Sequence, residues 1–352
     1  VDVPASIDKT GVTDVSAELQ AFLTSVGNGK IIRFPVDGLY RCESTLAFFS
    51  RTNITILGRG SLIFATTRST RKRSNLKLDR CVNIAINDLF TRGANTLAGN
   101  GTGYVPELEG QHGFEILSCY AIGLYGCGAS YTYGDPLYVG GLPLYGMSNT
   151  IYANDFDGHH SGRQGCSIVN AVNVTIEYSR FFDTARSNLD IEPQGLAPFV
   201  KNVIYRRNTC GRFKFNFVSA KGYGPVDDIQ ILNNTVQSDP MLISVGSAAT
   251  NLYGVYNPPI RRYRWTVKNN TADTAGGTPH NSVVRFNRVD NVIASGNVQP
   301  MLTAGRNMHF ARMELSQSHA VSGNTVVGWG GGDNTGVNAG QWFDPAITTW
   351  LA

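Results

Sequence analysis

Apolar and polar positions alternate in short runs along most of the chain. A phrase made of a polar residue, a β-branched alternation and a turn recurs as TNITILGRG (52–60), VNIAINDL (82–89), YAIGLYGCG (120–128), SNTIYANDF (148–156), VNVTIEYSRF (172–181), KNVIYRRNT (201–209), DDIQILNNT (227–235), DNVIASGNV (290–298) and SHAVSGNTV (318–326). Most of these follow a second short alternating run, among them NLKLDR, HGFEIL, PLYVGG, GCSIVN, NLDIEP and FNFVSA. The interval is irregular, roughly 24 to 38 residues, a spacing that marks stacked repeats. Period-2 runs with no helical periodicity predict strands. Strands repeated at this interval predict coils that bury their inward side chains along one continuous core. The alternatives are a β-propeller or a sandwich, but propeller blades need four strands each and hairpin turns. NG and DG turns are scarce between these strands, and Asn recurs at equal offsets, where stacked turns can form a hydrogen-bonded ladder. The predicted fold is therefore all-β: a single-stranded right-handed parallel β-helix, about nine to eleven coils, forming one domain over 1–352.

One stretch departs from strand periodicity. In TDVSAELQAFLTSV (13–26), Asp14 or Ser16 is a plausible helix cap, and Leu19, Phe22 and Leu23 share a face. A solenoid needs its open end covered, so a capping helix is expected at 13–26. Coils are expected over 29–330 and a tail or cap over 331–352.

Composition narrows the function. Charged residues make up 16% of the chain, below the usual quarter, and glycine numbers 39. The formal charge of +4 is too small to argue nucleic-acid binding. No run of about 18 apolar residues is present for a membrane span. The start VDVPASIDKTG lacks a basic and apolar signal region, so a signal was either removed or never there. The six cysteines, at 42, 81, 119, 127, 166 and 210, form no CxxC. They read as buried thiols, disulfide pairing does not follow from their spacing, and no Cys/His set has zinc-ligand spacing.

The segment GVTDVSAELQAFLTSVGNGKIIRFPVDGLY (11–40) resembles the start of pectate-lyase-superfamily right-handed β-helix proteins: a TD-rich helix, a glycine, then a strand ending in P-x-G-x-Y. Here Pro35-Val36-Asp37-Gly38-Leu39-Tyr40 carries one extra residue. The resemblance implies architecture over the whole chain. It leaves activity open among polysaccharide lyases, glycoside hydrolases, uronate epimerases and phage tailspikes. It also implies a secreted, extracellular or virion-associated location and a homo-trimer of the phage type.

Candidate chemistry follows from aligning the second set of runs. Phe114/Ile116, Leu137/Val139, Cys166/Ile168, Leu189/Ile191 and Phe215/Phe217 are taken as inward. That leaves Glu115, Tyr138, Ser167, Asp190, Glu192, Asn216 and Ser219 on one outward wall, with coils about 4.8 Å apart. The turns leading into these runs add Gln111, His112, Asp135, Arg163, Gln164, Arg186 and Lys214, and Lys221 follows the last run. In LDIE, Asp190 and Glu192 point to one side about 7 Å apart, exposed, with each repelling the other. Such repulsion raises one pKa and leaves its partner ionised, the pairing that glycoside hydrolysis uses. Asp190, Glu192 and, across the groove, Asp135 are the candidate catalytic carboxylates. His112, Glu115, Tyr138, Arg163, Gln164, Arg186, Lys214, Asn216 and Lys221 are candidate substrate contacts. A solvated surface ion-pair cluster is the structural alternative for the pair.

His159-His160 is not expected to bind metal, because adjacent side chains diverge on a strand. The basic loop RSTRKRS (68–74) reads as solvated or as an anionic-polymer contact, and GWGGGDNTG (328–336) as a flexible loop without a GK[ST]. YNPPIRRYRW (256–265) reads as an insertion. The expected activity is cleavage of a polysaccharide by a glycoside hydrolase without cofactor. The alternatives are a lyase or C5-epimerase on a uronate polymer, where calcium could bridge to Asp or Glu, and a non-catalytic glycan-binding adhesin. Loops 93–111, 140–148 and 247–262 are expected to set specificity.

Overall fold

Parallel pairing of short strands builds most of the described residues. The computed structural model describes residues 1–68, 74–141, 149–193, 199–222, 224–239, 241–246, 262–273, 282–287, 289–300, 309–314, 318–327 and 341–343. Most of the basic loop, the glycine-rich loop 328–336, the specificity segments 142–148 and 247–261 and most of the expected tail lie outside the described residues.

Three faces form the coils. The first is an eleven-stranded ladder running from Leu46–Phe49 through Leu76–Asp79, Phe114–Leu117, Leu137–Gly140, Cys166–Ile168, Leu189–Ile191 and Val218–Ala220 to Gln341–Phe343. The other two are the successive halves of a 21-stranded sheet. One half stacks Tyr120–Tyr125, Asn149–Asn154, Ala171–Glu177, Val200–Arg206 and Val226–Leu232, and the other stacks Gly128–Thr132, Asp157–Ser161, Arg180–Thr184 and Thr209–Phe213. All strand ladders among the described residues are parallel, so the fold is the expected parallel β-helix and not a propeller or sandwich. Its core is a continuous stack of inward Ile, Val, Leu and Phe that also takes in all six cysteines, each buried and unpaired.

The helix that covers one end spans Ser16–Ser25 and buries Leu19 and Leu23, with Phe22 packed at the margin. Its N-cap is Val15, which has no side-chain acceptor. Asp14 instead accepts from Ser16 N and from Glu43 N, tying the helix start to the first coil. Gln20 does the capping work for the sheet. Its Oε1 accepts from Ala47 N at 2.7 Å and its Nε2 donates to Ala47 O at 3.0 Å. The side-chain amide thus stands in for a neighbouring strand and blunts an edge that would otherwise pair with another chain.

Corners are set by non-glycine residues in the left-handed region. Asp155, Tyr178, Arg207, Asn233 and Asn269 occupy one corner with φ of 53 to 57°, a conformation that is unfavourable for residues with a Cβ. The residue after each is hydrogen-bonded to the next coil. Asn208, Asn234, Asn270 and Asn297 each donate a backbone N–H to the side-chain oxygen of the following asparagine, ending at Asn324. This is the asparagine ladder that the sequence offsets predict. Asn270 Oδ1 accepts from both Asn234 N and Nδ2, while its own Nδ2 reaches Ile231 O and Asn297 Oδ1. Asn270→Ala strands several buried polar groups at once, so a loss of about 2 kcal/mol is expected. Thermal unfolding of the variant should show a fall in Tm of several degrees.

One segment was misread from sequence. The run 256–265 contains a coil strand, Arg262–Lys268, which pairs on both sides and buries Trp265 and Arg262 completely. Its Arg and Tyr residues mimic a solvated loop. Arg264 takes φ 53°, which shifts the alternation so that Trp265 and Val267 point inward.

Candidate active site

Register on the first face brings the predicted wall together. Glu115 pairs with Tyr138, Tyr138 with Ser167, Ser167 with Asp190, and Asp190 with Ser219. These outward residues form one column because Phe114, Leu137, Cys166, Leu189 and Val218 alternate into the core beside them. Beside the column runs a second one at the turns: Arg186 N donates to Arg163 O, and Lys214 N to Arg186 O. Arg163, Arg186 and Lys214 therefore stack one per coil.

Asn216 is not part of the wall. The strand of that coil is Val218–Ala220, three residues later than FNF predicts, and Asn216 lies in the turn, where its carbonyl accepts from Asn188 N. Phe215 is 44% exposed and not core, while Phe217 is buried without being a strand residue. Phe215-x-Phe217 and Val218-x-Ala220 both alternate, and ladder pairing with Leu189–Ile191 selects the second pair.

The carboxylates are less open than their sequence implies. Asp190 is only 4% exposed and Asp135 is wholly buried. Asp135 Oδ2 accepts from Arg163 Nη1 at 2.9 Å and Oδ1 from the backbone N of Gln164 at 2.8 Å. Asp135 thus reaches the groove through Arg163 and does not face across it. Arg163 also approaches Glu192 Oε2 at 3.5 Å through Nη2 and Glu109 Oε2 at 3.6 Å through Nε, and donates to Ser167 Oγ at 3.3 Å. Burial opposes the Arg163 cation, but Asp135, Asp190, Glu109 and Glu192 more than restore it, raising its pKa.

Asp190 is pushed up to about 7. Burial is the main cause, repulsion from Glu192 the second, and Arg163 pulls the other way. Desolvation thus does more than the like-charge proximity expected from sequence. Gln164 Nε2 donates to Asp190 Oδ2 at 3.1 Å, and Ser219 bonds the same carboxyl. Gln164 is itself 4% exposed, so it is no open substrate contact. Glu192, just past the strand end, keeps a 30% exposed side chain against Arg163. One acid thus keeps its proton into the neutral range, and a carboxylate two residues on lies against a cation.

His112 is also buried. Its Nδ1 accepts from Asp135 N at 3.0 Å, and its ring stacks on Tyr138 at 4.2 Å. That acceptor role leaves Nδ1 without a proton, so the 3.6 Å approach to Asp135 Oδ2 is not an ion pair. Burial pushes the Tyr138 hydroxyl up to about 12, with Asp135 adding to the effect. Glu115 accepts from Ser74 at the far end of the column. Lys221 is exposed beyond Ala220.

Two residues that sequence reasoning missed, Tyr104 and Glu109, join the wall, together with Phe215, which sequence assigns to the core. The 93–111 loop folds back so that Gly101 N reaches Thr184 O. It places Tyr104 beside Arg186, whose guanidinium lies 5.1 Å from the Tyr104 ring and 5.8 Å from the Phe215 ring. Lys214 lies 5.7 Å from the same Phe215. Glu109 links the loop to Arg163 and accepts from the Tyr104 hydroxyl at 2.9 Å. The signal available in sequence was only the Pro106 turn, which becomes the 3-10 segment Pro106–Leu108.

His159 and His160 differ from expectation in direction. His160 has φ 52°, so the two rings turn to one side and their Nδ1 atoms lie 2.7 Å apart. Among the described residues no three His, Cys, Asp or Glu side chains converge as a metal set.

No family model and no curated protein matches the sequence. Among solved structures, the chain is similar to a hyperthermoactive exopolygalacturonase from Thermotoga maritima, at 12% identity over 92% of this chain and 90% of that one, with a TM-score of 0.58. It is similar to PfbA, a surface adhesin of Streptococcus pneumoniae, at 12% identity over 96% and 91%, with a TM-score of 0.60. It is also similar to the tailspike protein of E. coli bacteriophage HK620, at 13% identity over 91% and 62%, with a TM-score of 0.56. Hydrolase, adhesin and tailspike share one architecture at these identities, and the likeness places this chain among the parallel β-helix proteins.

Proposed function

We propose that the chain is a glycoside hydrolase acting on a polysaccharide laid along the first face, with Asp190 as general acid and Glu192 as its ionised partner. The observation that carries this reading is the different setting of the two carboxyls: Asp190 is buried, with its pKa pushed up to about 7, and Glu192 is partly open against the Arg163 cation. Asp190 would protonate the glycosidic oxygen as its bond to the anomeric carbon breaks, and Glu192 would take a proton from the attacking water. Inversion of the anomeric centre, with the water held between the two carboxyls, is the course such a pair takes when they stand about 6.5–9.5 Å apart. Asp135 organises Arg163 and Gln164 and takes no part in proton transfer. Small serines flank Asp190 on the column, and exposed Tyr104 and Phe215 lie at the rim.

A second reading draws on Arg186 and Lys214. Among the described residues neither has a carboxylate within ion-pair distance, and both are held by aromatic faces, which leaves their charge available. A lyase or epimerase on a uronate polymer needs such cations beside a base. A substrate of this kind points to action outside the cell or on a virion. Among the described residues no helix is long and apolar enough to cross a membrane. Incubation with a glycan panel separates the readings. New reducing ends without unsaturated-uronate absorbance support the hydrolase. That absorbance selects the lyase, and retention of a glycan with no product selects a binding module.

A further inference from the structure

We infer that Gln164 is a positioning residue that clamps one oxygen of Asp190 and confines the acid proton to the other. The inference rests on the reading of Asp190 as the acid, but its geometry stands independently.

Gln164 has no rotational choice. Its backbone N donates to Asp135 Oδ1 at 2.8 Å, and its carbonyl accepts from Ser161 Oγ at 2.6 Å. Its side-chain Oε1 accepts from Ser187 N at 2.6 Å. A backbone N–H can only donate, so the oxygen of the amide must face Ser187 and the NH2 must face Asp190. Turning the amide over would set two donors against each other at Ser187. Asp190 Oδ2, at 3.1 Å from Nε2, is therefore an acceptor. A neutral carboxyl whose Oδ2 accepts carries its proton on Oδ1. The Asp135–Gln164–Asp190 chain spans successive coils and sits beside the bridge from Asp135 to Arg163 and Glu192. One buried carboxylate thus fixes both the side chain that orients the acid and the cation that holds its partner.

The same amide has an electrostatic effect. A donor aimed at a carboxyl oxygen favours the ionised form, so Gln164 works with Arg163 and Ser219 against burial and Glu192. Without it Asp190 would remain protonated to still higher pH.

The test is a 13C-carboxyl NMR titration of selectively labelled full-length protein, with the Asp190 signal assigned by its loss in Asp190→Asn. It needs no substrate. In Gln164→Met, which removes the donor, the Asp190 midpoint should rise by about half a unit or more, the scale of losing one hydrogen bond to the ionised form. Gln164→Glu keeps an acceptor for Ser187 N and also loses the amide donor. Its midpoint should rise further, and it carries the test if the Met variant does not fold. On a cleaved glycan, kcat should fall about tenfold or more with KM unchanged, and the alkaline limb should move with the NMR midpoint. An unmoved midpoint in the folded variants overturns the inference, as does a raised KM at normal kcat, which would make Gln164 a substrate contact. A shifted midpoint in a protein that cleaves no glycan would leave Gln164 as assigned and remove the hydrolase reading. Glycan cleavage with an unmoved midpoint would do the reverse.

Discussion

Asp190→Asn and Glu192→Gln are each expected to lower turnover at least about a hundredfold on the cleaved glycan, the scale of losing a general acid or base. Both changes preserve shape. In Asp190→Asn the amide oxygen can still accept from Gln164 Nε2. What is lost is a proton that can be given to a leaving oxygen at neutral pH. In Glu192→Gln the contact with Arg163 weakens, and the group that would take a proton from water is gone. Removing either member stops a transfer that needs both, so the double variant should be little worse than the single ones. Initial rates of reducing-end release check this, with circular dichroism confirming that each variant keeps its strands. Near-normal rates in both would remove the pair from the chemistry and favour a binding module.

The second large effect concerns stability, and it has the opposite sign to the usual loss on mutating a buried residue. Asp190 has its pKa pushed up to about 7 in the folded chain from the ordinary 3.8 of a free aspartate. A raised carboxyl pKa means that the folded state holds the proton more tightly than the unfolded one. The native protein therefore loses stability as pH rises from about 4 to about 7, and the loss is complete above that. Asp190→Asn is neutral at every pH and does not carry this penalty. At pH 8 the variant should unfold at a higher temperature than the wild type, and near pH 4 the difference should vanish. Thermal melts at the two pH values measure it. A variant less stable than wild type at pH 8 would mean that Asp190 is not held neutral by its surroundings.

The coil pattern was legible because inward Phe114/Ile116, Leu137/Val139, Cys166/Ile168 and Leu189/Ile191 repeat an alternation that only a stacked core rewards. Asn234, Asn270 and Asn297 announced the corner ladder by their offsets. The column Glu115–Tyr138–Ser167–Asp190 followed directly from that register, whereas the Ser219 that stands opposite Asp190 takes the place expected of Asn216. What escaped has physical reasons. His160 and Arg264 adopt left-handed backbone without being glycine, so alternation breaks where no sequence signal marks it. Phe215-x-Phe217 competed with Val218-x-Ala220 for one strand position, and only the neighbouring coil decides between them. The burial of Asp190, Asp135 and His112 depends on packing between coils and on a folded-back loop, both long-range properties. For the same reason Tyr104 and Glu109 were seen as loop residues and not as part of the wall.

The pH dependence of kcat/KM for reducing-end release tests most directly whether Asp190 is the proton donor. Catalysis by the protonated form should hold on the acid side and fall as pH rises through about 7, tending to tenfold per unit beyond it. Asp190→Asn should remain inactive throughout. An alkaline limb near 7 in the wild type, absent with the activity in the variant, is the predicted result. A wild-type rate that stays level to pH 9, or a variant that retains the rate and the limb, would contradict it.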